Sequence, residues 1–162
     1  MSHLITESHT NLKVDVLTPY NLSGSSWLLD TPTSYNTDIS VSGGTITLLN
    51  GGSSYYIEAA VTARCGGGSG TMTWQLYDAT ASSFIGQDAY FSVGDWGSRA
   101  RVGRKVAKSL ILDSDINVSK DIQIRQTSLT GSSWQYNVTI GVGLNNINYL
   151  GYPSVRIWQL PS

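Results

Sequence analysis

The sequence predicts an almost all-β domain, an antiparallel two-sheet sandwich or jelly roll. Three observations lead there. Val, Ile, Tyr and Trp are common beside abundant Ser, Thr, Asn and Gly, which suits strands joined by turns. Apolar and polar residues alternate in run after run. Gly- and Asn-rich turn signals separate those runs at short intervals. Strand and helix patterns do not alternate, which argues against a parallel α/β sheet. At 162 residues the chain suits one domain, large enough to hold a core without disulfides or metals.

Residues 1–35 are polar and irregular, and contain both histidines, His3 and His9, with Pro19 and Pro32. The alternation Leu12, Val14, Val16 fits one strand or an extended arm. Trp27-Leu28-Leu29 is costly to leave in water, so it either packs on its own domain or docks on a partner. Residues 36–162 form the regular body. Ile39 and Val41, then Gly43-Gly44, then Ile46 and Leu48 read as two short strands around a turn. Asn50-Gly51-Gly52 is a strong turn signal. Next comes a strand from Tyr55 to Ala63, with Tyr55, Ile57, Ala59, Val61 and Ala63 on one face. Tyr56, Glu58, Ala60 and Thr62 face the other way. After the glycine loop 66–70, Met72, Trp74 and Leu76 mark another strand, 78–83 a turn, and Phe84–Ser92 a further strand.

The stretch from Arg99 to Leu112 is ambiguous. Val102, Val106 and Leu110 fall at helical spacing, whereas Gly103 and the β-favouring Ser109–Leu112 end favour a strand. Ile122 and Ile124, then Trp134 to Val142, then Val155 to Leu160 complete the pattern, roughly eight to ten strands in all.

Little in this chain resembles catalytic machinery. The body contains no histidine, which removes Ser-His-Asp, Cys-His and His-metal sites unless the tail folds back into it. Cys65 is the lone cysteine and reads as a small buried side chain. Carboxylate pairs Asp113/Asp115 and Asp88/Asp95 sit near turns, where Asp serves its own backbone. Asp113-Ser114-Asp115 supplies too few oxygens for a calcium site by itself. No enzyme, cofactor or metal is therefore expected.

A net charge of -1 gives no general pull toward nucleic acid or anionic lipid. The basic cluster Arg99, Arg101, Arg104, Lys105 and Lys108 lacks aromatic interleaving and reads as a solvated edge or a protein contact. No signal peptide or membrane span is visible, so the chain is expected to fold in a cytoplasm, and the sequons at Asn21, Asn117 and Asn137 are read as chance matches.

Ile46-Thr-Leu48 followed by Gly52-Ser-Ser-Tyr55-Tyr-Ile57-Glu-Ala59 resembles the early strands of tumour-necrosis-factor-like jelly rolls. Trp74-Gln-Leu76-Tyr77-Asp78 with Ile85-Gly86, and the ending Val155-Arg-Ile157-Trp158-Gln-Leu160, are similar in order and pattern. The likeness spans about residues 38–160. It implies a ten-stranded jelly roll that assembles as a homotrimer. Among small members with a distinct N-terminal segment, it further implies a bacteriophage virion protein, such as a capsid decoration or head-fibre protein. The expected trimer contact is Tyr55, Tyr56, Tyr136, Tyr149, Tyr152 and Trp158. The expected attachment to a major capsid or other virion protein runs through Leu12, Val14, Val16, Trp27, Leu28 and Leu29. The alternative is a receptor- or carbohydrate-binding tip that meets a host surface glycan through Trp96, Trp134 and Asn146.

Overall fold

A computed structural model describes residues 13–17, 19–23, 26–29, 38–65, 69–93, 101–131, 134–136 and 154–160. Side chains are described for 38–61, 69–92, 105–131 and 155–160. The described elements are β1 (Lys13–Leu17), β2 (Pro19–Ser23), β3 (Ser26–Leu29), β4 (Ile39–Ser42), β5 (Thr45–Leu49) and β6 (Ser54–Cys65). They continue with β7 (Gly70–Asp78), β8 (Ser83–Val93), β9 (Arg101–Ile111), a single 3₁₀ turn at Asp113–Asp115, β10 (Ser119–Thr130), β11 (Trp134–Tyr136) and β12 (Ser154–Leu160). All the pairings among the described strands are antiparallel. The order β1-β12-β6-β9-β8-β7-β10-β3-β2 curls into a jelly roll, with β11 on β6, and β4 reaching β10 through β5. No described helix is long and apolar enough to cross a membrane.

Two expectations about local structure resolve here. Arg101–Ile111 is a strand, paired with β6 along its whole length, so Ala107, Ser109 and Ile111 turn inward and Lys108 and Leu110 outward. A helix would have put Val106 and Leu110 on one apolar stripe, but in the strand Leu110 is 53% exposed. The alternation around Val14 and Val16 is also a strand, with Lys13–Leu17 laddered against Gln159–Val155. The described strands exceed the expected number because residues 13–29 contribute three of them.

The core lies between the two halves of the curled sheet. Tyr55, Ile57, Ala59 and Val61 of β6 meet Met72, Trp74 and Leu76 of β7, Ile122 and Ile124 of β10, and Val155 and Ile157 of β12. Their period-two spacing is why one face of each strand is dry. The Tyr55 hydroxyl donates to the Leu49 carbonyl at 3.2 Å. Three polar devices tie the ends. The Asn50 amide donates to the carbonyls of Ile116 and Asn117. The buried Gln159 amide donates to Asp38 Oδ2 and Ser53 Oγ. Lys120 Nζ lies 2.7 Å from Asp78 Oδ2 in a largely buried ion pair.

The halves join at β8. Gln75 of β7 stands opposite three residues of β8, Gly86 to Asp88, because the register jumps from Trp74↔Ala89 to Leu76↔Ile85. This bulge swings β8 across to β9, where Gln87 pairs with Lys108. The Gln75 amide donates to the carbonyls of Ile85 and Gly86 and so covers the interrupted ladder.

Candidate functional site

The outer face of β1-β12-β6-β9 brings large apolar and charged residues into adjacent rows. Register aligns Val14, Trp158, Tyr56 and Leu110 in one row across four strands. The next row is Val16, Arg156, Glu58 and Lys108. Toward the strand ends lie Leu160 and, 45% exposed, Leu112. The face therefore has an apolar part beside a charged band.

Its geometry is fixed locally. The Tyr56 and Trp158 rings are 5.5 Å apart and tilted by 40°, a packed aromatic pair of directly opposed residues. The Tyr56 hydroxyl donates to Glu58 Oε1 at 3.0 Å. Burial, and then the hydrogen bond and charge of Glu58, raise the Tyr56 hydroxyl above its ordinary pKa. Leu110 stands beside Tyr56 on β9 and is 53% exposed, a large apolar side chain without cover in the single chain.

The residues expected at a subunit contact separate. Tyr56 and Trp158 come together on this face. Tyr55 does not: it is fully buried, because its strand position points into the core, so it has no surface to give a neighbour. Tyr136 contributes its backbone to β11, opposite Ala63, and Tyr149 and Tyr152 lie outside the described residues. Leu110, Leu112 and Leu160 were missed. Their signal was present in the alternation of β9 and β12, but which face they share depends on register.

Of the expected attachment residues, Val14 and Val16 sit on β1, and Trp27, Leu28 and Leu29 on β3, which pairs with β2 and meets β10 at Ser26↔Arg125. Leu12 lies outside the described residues. For the expected ligand edge, Trp134 pairs with Cys65 through its backbone, and Trp96 and Asn146 lie outside the described residues. Asp113 and Asp115 form the 3₁₀ turn, where Asp113 Oδ1 accepts the Ser114 N–H at 2.8 Å. No group of three potential metal-ligating His, Cys, Asp or Glu residues occurs among the described residues. Of the basic cluster, Lys105 and Lys108 are exposed on β9.

Fold and face together define an all-β, tumour-necrosis-factor-like jelly roll. Solved structures of murine APRIL, a protein of that fold, superpose on the chain with TM-scores of 0.58 (pH 8.0 crystals, 8% identity), 0.54 (pH 5.0, 9%) and 0.51 (pH 8.5, 10%). Each match covers 93% of this chain and 100% of the APRIL chain. No protein-family model and no curated protein sequence matches it.

Proposed function

We propose that this protein is a non-enzymatic assembly module that forms a homotrimer through the outer face of β1-β12-β6-β9. The observation that carries the reading is the row Trp158, Tyr56, Leu110: three large apolar side chains aligned on one open sheet face. Burying a leucine or aromatic of this kind is worth about 1.5–3 kcal/mol, and a self-complementary patch is commonly closed by symmetry. The jelly-roll likeness favours three copies over two.

Light scattering behind size exclusion tests this. The native protein should run at about three times the 17.5 kDa chain mass. Leu110→Glu, which places a charge in the contact, should run at the single-chain mass with unchanged β signal in circular dichroism. A native protein that is monomeric at micromolar concentration removes the reading.

Within this class, the finer reading is a structural protein of a bacteriophage particle, a capsid decoration or head-fibre protein attached through residues 1–35. The support is the resemblance to small jelly rolls with a distinct N-terminal segment. Mass spectrometry of purified particles should find the chain at stoichiometric level, and its absence would refute this finer role alone.

A further inference from the structure

The other outer face, formed by β4, β5, β10, β7 and β8, has a different character. Gln75, Tyr77, Gln123 and Arg125 turn outward there, while Trp74, Leu76, Ile122 and Ile124 turn in. The Arg125 guanidinium carbon lies 3.8 Å above the Tyr77 ring. Its Nε donates to Gln123 Oε1 at 2.8 Å, and the Gln123 amide donates to Thr45 Oγ1 at 2.8 Å. The guanidinium is thus held from below and from one edge, which leaves its Nη edge for a partner. Such a fork accepts a carboxylate through two parallel hydrogen bonds. Among the described residues, no carboxylate pairs with it.

Beside it stands Phe84, opposite Tyr77 on β8, 45% exposed and packed edge-to-face on Tyr77 at 5.0 Å. An ordered, exposed ring next to a fixed cation offers an apolar platform and a charge at fixed separation. The charge count sets the kind of ligand. The strands of this half carry two cations, Lys120 and Arg125, and Lys120 is taken by Asp78. One uncommitted cation suits one anionic group, whereas a polyanion is held by many. Among the described side chains near it, the amides of Gln75 and Gln123 and the Thr45 hydroxyl are groups with which a polyol can pair.

We propose that this face binds a carboxylate-bearing sugar, with the carboxylate on the Arg125 fork and the pyranose ring against Phe84. The site is separate from the assembly face and does not depend on trimer formation. It also uses other residues than the Trp96, Trp134 and Asn146 edge.

Saturation-transfer NMR with titration tests it, using sialyllactose and a galacturonic acid trimer as probes and lactose and acetate as comparators. At least one acidic sugar should bind about tenfold more tightly than lactose or acetate, a difference of about 1.4 kcal/mol. Arg125→Lys, which keeps the charge and loses the fork, and Phe84→Ser, at an exposed position, should each weaken that binding about tenfold. Far-UV circular dichroism and the thermal unfolding transition should show both variants folded. The proposal is overturned if neither acidic sugar binds, if acetate or lactose binds equally well, or if binding survives Phe84→Ser in a folded protein.

Discussion

Gly86→Ala should force open the seam where β8 passes between the two halves of the sheet. Gly86 has φ +70°, in the left-handed region, where a side chain costs roughly 1–2 kcal/mol. A Cβ there would also lie 2.1 Å from the Lys108 carbonyl oxygen, 2.6 Å from Ser109 Cβ and 2.9 Å from Ser109 Cα. Nonbonded carbon contacts settle near 3.5–4.0 Å, so β8 and β9 must part by about 1 Å. The atoms in the way are mostly backbone, held by the β6–β9 ladder, and overpacking of this kind adds about 1–3 kcal/mol. The expected loss is therefore roughly 2–5 kcal/mol, or about 6–15 °C in Tm for a chain of this length. Gly52→Ala is the matched control: φ is +73° there, but nothing lies within 4 Å of the added Cβ, so only the backbone cost of about 1–2 kcal/mol applies. Thermal and urea unfolding at one fixed protein concentration measures both. Equal losses in the two variants would refute the close-approach reasoning and leave conformation as the whole effect.

Further outcomes follow from the buried polar groups. Burial pushes the Asp78 carboxyl up, but the Lys120 hydrogen bond and charge and the Ala81 and Thr80 N–H groups outweigh it and hold the group below its ordinary 3.8. A depressed carboxyl stabilises the fold above its unfolded pKa and loses that contribution as pH falls through the folded value. Urea midpoints should accordingly drop below about pH 4, and Asp78→Asn should flatten that slope. Lys120→Met should cost about 3 kcal/mol at neutral pH, because it strands a buried carboxylate. Burial, with the Asp38 charge second, pushes the Tyr55 hydroxyl up to about 12. Its contribution is complete below pH 10 and lost as pH rises toward 12, so ultraviolet titration should show Tyr55 ionising late, and Tyr55→Phe should reduce the late part of the titration by one tyrosine.

Much of the strand plan was legible because it is written locally. The alternation through Ile39–Leu48, Tyr55–Val61, Met72–Leu76 and Val155–Ile157 states which side chains turn inward, and those side chains form the core or pack against it. Asn50-Gly51-Gly52 and Gly43-Gly44 mark the turns for the same reason. The proposed assembly face was legible only in part. Tyr56 and Trp158 could be named as surplus aromatics, but Tyr55, its neighbour, belongs to the core, and Leu110 lay in a stretch readable as helix or strand.

What the sequence by itself determined is the period-two division of each strand into a dry and a wet side, since that depends on residues two apart. Tertiary structure alone decided which wet sides adjoin. Val14, Trp158, Tyr56 and Leu110 come from strands spread over nearly the whole chain, and only the antiparallel register places them in one row. Arg125, Tyr77 and Phe84 meet in the same way, through the β10–β7–β8 pairings. Register is a non-local property, set by the shared burial of whole strand faces and by the bulge at Gly86, and so it appears only once the strands are laid side by side.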